Sequence, residues 1–184
     1  MINPVTLSPT DQQEYIMNLA LGYQVSQVLI AAVKKDVFTL IDEEAQTISG
    51  LSRTLQGDII ALSRFMTVLM DIKLLEEKNG LFYNTDIASR YLVKGKKGYL
   101  GNSIHHSSNL WEFWEDLDEP VINGTPRTPD NDYLIDFPHR LEDYLSAMND
   151  TAELKEDAIA DAISIQEFRK MLDIGCGPAT YALA

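Results

Sequence analysis

The residue types best suited to chemistry lie together in one stretch of this 184-residue chain, MLDIGCGPATYALA, Met171 to Ala184. Asp173 stands in an apolar run that reads as a buried strand, Met171-Leu172-Asp173-Ile174. Gly175 and Gly177 follow at spacing two, and Thr180 and Tyr181 then enter a helix. Glycine suits such a turn, because the backbone must reverse tightly and approach a ligand without a Cβ in the way, while the next helix presents free N–H groups. A dinucleotide site would want G-x-G-x-x-G. Here Gly175-Cys176-Gly177-Pro178-Ala179-Thr180 has no glycine at the last position, which argues against a nicotinamide cofactor.

Other reactive side chains are scattered. His105 and His106 are adjacent, so on a helix they point about 100° apart and do not serve one site, and His139 follows Pro138 at a helix start. All three read as surface or capping groups. Glu112, Glu115, Asp116, Asp118 and Glu119 read as a solvated helix face, because no His or Cys accompanies them at a ligand spacing, and no metal is expected. Cys176, the single cysteine, reads as a small spacer in the turn. It has no internal disulfide partner, which agrees with a reducing, cytoplasmic setting.

Composition narrows the partners. The formal charge is −13, and it is uneven: Lys and Arg number 10 against 9 Asp and Glu over residues 23 to 100, but 5 against 16 over residues 101 to 170. Counterion release on phosphate requires Lys and Arg, so the acidic balance argues against nucleic acid or an anionic membrane as a principal partner. No run of about 18 apolar residues and no basic-then-apolar leader is present, so neither a membrane span nor a signal peptide is expected.

The elements that must position the glycine turn can be read from periodicity. Residues 10 to 41 have helical spacing, with Tyr15, Ile16, Leu19, Tyr23, Val25, Val28, Leu29, Ala32 and Val33 forming an apolar face wider than one packing partner needs, so a second subunit is expected to cover part of it. A short helix from about Ser49 to Leu55, a break at Gly57 and a helix from Asp58 to about Ile72 follow. Asp58 is the N-cap of that last helix, and Ile59, Leu62, Phe65, Met66, Leu69 and Ile72 form its stripe. Asn79-Gly80 between two β-prone runs signals a hairpin, and Thr85 can cap a helix from Asp86 to Leu92. Together these parts make a winged helix-turn-helix. Beyond the basic loop VKGKKGYL, a helix from about Gly101 to Val121 carries Trp111, Phe113, Trp114 and Leu117. A loop over Asn123 to Asp132 and helices over His139 to Met148 and Ala152 to Ile165 precede the strand Met171 to Ile174.

The winged helix opens a second reading, a DNA-binding transcription regulator. In that case the helix from Asp58 to Ile72 would enter the major groove, yet its outer residues Asp58, Ala61, Ser63, Arg64, Thr67 and Asp71 include a single basic side chain. Lys94, Lys96 and Lys97 in the basic loop could contact phosphate.

The order of parts resembles the class I S-adenosylmethionine-dependent O-methyltransferases with an N-terminal winged-helix dimerisation domain. The pieces that carry the resemblance are Gly22 to Asp42, the run from Thr47 to Leu92 with its LLEEKNGLFYNT wing, LWEFWEDLDEPVINGTP (Leu110 to Pro126), DYLSAMND (Asp143 to Asp150) and MLDIGCGPAT. The resemblance implies a mainly α chain in three parts: a winged-helix dimerisation domain at 1–97, linker helices at 98–168, and the start of an S-adenosylmethionine-binding Rossmann-like domain at 169–184, entered through its first strand. It implies S-adenosylmethionine as cofactor, lined by Asp173, Gly175 and Gly177, with Met148 bordering both cofactor and substrate. Trp114 and Tyr144 become substrate-pocket walls and Tyr23 reaches the pocket of the partner subunit, although plain core packing is an equally good account of these three aromatics. The implied partners are a second copy, paired through the N-terminal helices, and a small hydroxylated, often aromatic, acceptor. The family motif D-x-G-x-G-x-G has Ala179 here at its third glycine. The family's catalytic base and ribose-binding carboxylate lie past the glycine motif, so both are expected beyond Ala184, and these residues by themselves are expected to dimerise and to bind cofactor weakly or not at all.

Overall fold

A computed structural model describes residues 8–125, 138–162 and 169–183. Helix α1 spans Pro9–Lys34, opened by the Ser8 hydroxyl, which accepts from the Asp11 amide. It does not continue to residue 41. Asp36 takes a left-handed conformation (φ 51°) and turns the chain into a separate helix α2, Val37–Glu43. Helix α3 (Ile48–Leu55) is capped by Thr47, and α4 (Ile59–Asp71) by Asp58, whose Oδ1 accepts from the Ile60 and Ala61 amides at 3.0 and 2.8 Å. Capping of this kind satisfies N–H groups that the first helical turn leaves without partners.

Strands β1 (Leu75–Lys78) and β2 (Leu81–Asn84) pair antiparallel, with Lys78 opposite Leu81. Asn79 and Gly80 have φ values of 55° and 77°, the two positive angles that a type I′ hairpin turn requires. The Phe82 amide donates to the Gln46 carbonyl at 2.8 Å, which adds a short third partner to the wing. Helix α5 covers Asp86–Tyr91. Thr85 occupies its N-cap position without capping it: the hydroxyl donates instead to the Lys73 and Leu74 carbonyls at 3.0 and 3.2 Å, closing the base of the hairpin. Val37, Phe38, Leu51, Met66 and Leu69 are fully buried at the centre of this unit. The stripe on α4 therefore faces the core, except at its start, where Ile59 is exposed.

The linker differs from the single long helix expected from Gly101 to Val121. Helix α6 ends at Asn109 (Gly101–Asn109), a 3-10 turn covers Trp111–Phe113, and α7 restarts at Asp118–Asn123. Helix α7 takes Pro120 in its first turn, whereas α6 already ends at Asn109. Proline lacks an N–H and its ring clashes with the carbonyl four residues back, so it is accommodated in the first turn of a new helix and not within an old one. Conversely, α8 (Pro138–Glu153) runs through Asn149-Asp150-Thr151, where a break was expected, and α9 (Glu156–Ala162) follows. The expected continuation to Ile165 lies outside the described residues.

Asn149 and Asp150 stay helical because their side chains bond to other segments. The Asp150 carboxylate, 4% exposed, accepts from Asn102 Nδ2 at 2.9 Å and from the Ser103 amide at 3.1 Å. Leu100, at the N-cap of α6, has no capping oxygen, so Asp150 performs that task from across the helix pair. Burial pushes the Asp150 carboxyl above its ordinary range, outweighing the donors that hold it down. A carboxyl raised in the folded state binds protons more tightly there than in the unfolded chain, so its contribution to stability grows as pH falls toward the ordinary carboxylate value and is lost as pH rises. Relative to Asp150→Asn, the native protein should gain stability in urea melts as pH is lowered from about 6 to about 4. A difference that shrinks over that range would show that the donors dominate.

Candidate functional site

Helix α8 presents Tyr144, Met148 and Thr151 at spacings of four and three, on one side of the helix. The segment 169–183 returns across that side. Its turn is closed by the Ala179 amide donating to the Cys176 carbonyl at 2.8 Å, and it leads into a one-turn helix α10, Thr180–Leu183. Gly175 and Gly177 have φ values of 79° and 54°. A Cβ placed on either would meet nothing within 4 Å, so glycine is needed here for its conformation and leaves open space beside the backbone.

Between α8 and the turn lies a cleft of about 320 Å³, lined by Tyr144, Met148, Asp173, Gly175, Gly177 and Tyr181, with Thr151, Ala152, Cys176, Pro178 and Thr180 completing the wall. Asp173 supplies the carboxylate and the rest is mostly apolar. The structure thus brings together Met148 and Tyr144 from one element and Asp173, Gly175 and Gly177 from another. Trp114 and Tyr23 are elsewhere: Trp114 is 67% exposed beside the 3-10 turn and Tyr23 is 53% exposed on α1, so neither lines the cleft and neither is packed in the core.

Met171–Ile174 forms no strand. The two-stranded wing is the sheet among the described residues, and no described segment pairs with this run. A strand of a parallel sheet is covered on both faces. Leu172 and Ile174 are instead 83% and 88% exposed, so the apolar pattern is present without the neighbours that would convert it into a ladder.

His105 and His106, on α6, both contact α8. His105 Nδ1 lies 3.1 Å from Asp143 Oδ2, which also accepts from Asn109 Nδ2 at 2.8 Å. His106 packs edge-on against Tyr144, ring centroids 5.5 Å apart, with its Nδ1 buried and lacking a hydrogen-bond partner. Burial pushes His106 below the ordinary imidazole range despite the nearby Asp143. Adjacent residues thus engage consecutive positions of one facing helix. Among the described residues, no three His, Cys, Asp or Glu side chains are grouped to hold a metal ion.

The basic loop is occupied within the chain. Lys96 pairs with Asp42 at 2.7 Å, and Lys97 with Glu156 and Asp157 at 3.4 and 3.2 Å. The outward side of α4 carries exposed Ile59, Ile60 and Val68 beside Arg64, a surface that suits protein contact better than base edges. Asn149 and Thr180, which bond to each other at 2.6 Å, and Tyr181, which lines the cleft, were not among the expected site residues. Thr180 and Tyr181 were legible as the start of a helix after the glycines. Asn149, one position past Met148, showed no signal of its own.

A winged helix, linker helices and a glycine turn that enters a helix define a mainly α chain. Residues 17–94 match the O-methyltransferase dimerisation domain. It is 25% identical over 165 residues to the tetracenomycin polyketide synthesis 8-O-methyl transferase TcmO of Streptomyces glaucescens, covering 87% of this chain and 49% of that protein. It is also 25% identical over 184 residues to the acetylserotonin O-methyltransferase of Bos taurus, covering 89% of this chain and 52% of the relative. The chain therefore spans about half the length of these curated relatives. Among solved structures, human N-acetylserotonin methyltransferase in complex with SAM superposes with a TM-score of 0.82 at 18% identity, over 97% of this chain and 56% of that one, a likeness of fold.

Ala179, at the place of the third family glycine, has φ 60°. An L-residue with a Cβ is strained there by roughly 1–2 kcal/mol. Ala179→Gly should relieve part of that strain and slow amide exchange over residues 176–183, read by mass spectrometry. Faster exchange would mean that the methyl packs favourably.

Proposed function

We propose that these residues form the dimerising N-terminal part of an S-adenosylmethionine-dependent O-methyltransferase, a cytoplasmic homodimer that methylates a hydroxyl of a small, aromatic metabolite. The observation that carries the reading is the single cleft collecting Met148 and Tyr144 of α8 with Asp173, Gly175 and Gly177 of the turn. The matched dimerisation domain and relatives named as O-methyltransferases support it. The residues fit the cofactor: two glycines leave backbone open to a ligand, a carboxylate stands beside them, and a thioether and phenol form an apolar wall. When bound, S-adenosylmethionine supplies an electrophilic methyl group. Tyr144 and Met148 would exclude water and orient the acceptor, so that proximity does much of the work. In this reading the division at residues 97 and 168 separates dimerisation, linker and cofactor-binding parts.

The pairing proposal rests on α1. Ile16, Met17, Leu19, Leu21, Tyr23 and Val25 are exposed along it, whereas Ile30, Ala32 and Val33 at its far end are buried in the winged-helix core. By length and composition alone α1 could also cross a membrane, which the expectation from the sequence did not foresee. A helix whose end is built into the same core as Phe38 and Met66 supports subunit pairing instead, with Tyr23 brought toward the partner's cleft. Sedimentation without detergent should show a dimer that Leu19→Glu converts to monomer. A monomeric native protein, or one that needs detergent, would overturn the pairing.

Calorimetric titration of the 184-residue protein with S-adenosylhomocysteine should show binding weaker than micromolar, because a cleft of about 320 Å³ lies at the small end of ligand sites. At millimolar ligand, residues 173–181 should gain protection from amide exchange, and Gly177→Val should abolish the gain, since a β-branched residue is strained at φ 54°. Micromolar affinity would show that the cleft is already complete. No protection at any concentration would remove the cofactor reading.

A further inference from the structure

We infer that Asn149 is a positioning residue for the cleft, latching the glycine turn to α8 through Thr180; its role toward the cofactor rests on the reading proposed above. No ladder hydrogen bonds fix Met171–Ile174, and Leu172 and Ile174 are uncovered, so packing of that run does not locate the turn. Within residues 169–183 the buried position is Thr180, 8% exposed. Its hydroxyl donates to Asn149 Oδ1 at 2.6 Å.

The geometry of the asparagine is set from behind. Asn149 Nδ2 donates to Glu153 Oε1 at 2.7 Å, and because an ionised carboxylate only accepts, the amide is oriented with its oxygen toward Thr180. Three consecutive residues of α8 then face three different tasks. Met148 lines the cleft, Asn149 holds the turn, and Asp150 holds α6. The Asn149–Thr180 bond thereby ties the glycine wall to the Met148 wall, within a chain segment that is otherwise mostly exposed.

The test is amide exchange on the 184-residue protein, native and as Thr180→Val, Thr180→Ser, Asn149→Ala and Glu153→Gln, with and without S-adenosylhomocysteine. Thr180→Val and Asn149→Ala should accelerate exchange at residues 179–183 about threefold to tenfold, the range expected for losing one net hydrogen bond, while the thermal transition of the winged-helix unit stays in place. Thr180→Ser, which keeps the hydroxyl, should restore native exchange, and Glu153→Gln, which lets the amide flip, should give an intermediate value. The ligand concentration giving half-maximal protection should rise by the same factor in Thr180→Val. Native exchange in Thr180→Val, or failure of Thr180→Ser to rescue, overturns the latch. Accelerated exchange with an unchanged ligand response overturns its role in binding. Absence of ligand protection in the native protein overturns the cofactor reading and that role together, and leaves the latch judged by exchange alone.

Discussion

The pairing of α6 with α8 is the constraint on which the rest of this structure depends. A helix that begins at Leu100-Gly101 has no side chain of its own to cap it, and the Asp150 carboxylate, nearly removed from solvent, closes it from the neighbouring helix. A carboxylate in such a place is costly to keep ionised, and two donors offset part of that cost. The Ser103 hydroxyl donating to the Ala147 carbonyl and the His105 and Asn109 contacts to Asp143 extend the same seam toward the other end of the helices. The orientation of α8 follows from this seam.

One wall of the cleft is laid out along α8 in consequence. One side of the helix is committed to α6, Met148 and Thr151 face the returning chain, and Tyr144 stands between, touching His106 and lining the cleft. The cleft is a by-product of two helices agreeing on a register and a glycine turn crossing above them. The winged-helix unit contributes differently. Its core around Phe38, Leu51, Met66 and Leu69 anchors only the far end of α1, and the rest of that helix leaves its apolar side chains exposed. Large apolar patches of this kind are uncommon on isolated monomers.

The hairpin and the caps were legible because their causes are local. Asn79-Gly80 can hardly do anything but turn with two positive φ angles, and Asp58 opens α4 through bonds that span two and three residues. The Trp-bearing segment has the spacing of one helix, and the structure divides it. Helical spacing of Trp111, Trp114 and Leu117 carries no mark of the break that follows Asn109. Of the candidate site residues, Met148, Tyr144, Asp173, Gly175 and Gly177 meet at one cleft, whereas Trp114 and Tyr23 face outward. The former pattern depends on a turn and a helix face, the latter on neighbours that no periodicity names.

By itself the amino-acid sequence determined the winged-helix unit, the helical linker and the positive-φ turn at Gly175 and Gly177, because each follows from interactions a few residues apart. Tertiary structure alone decided that Asn149 meets Thr180, 31 positions away, and that Asp150 caps a helix 47 positions back. It also decided that Met171–Ile174 stays unpaired. A strand is a relation between segments, and an apolar run can express the tendency without the partner that completes it.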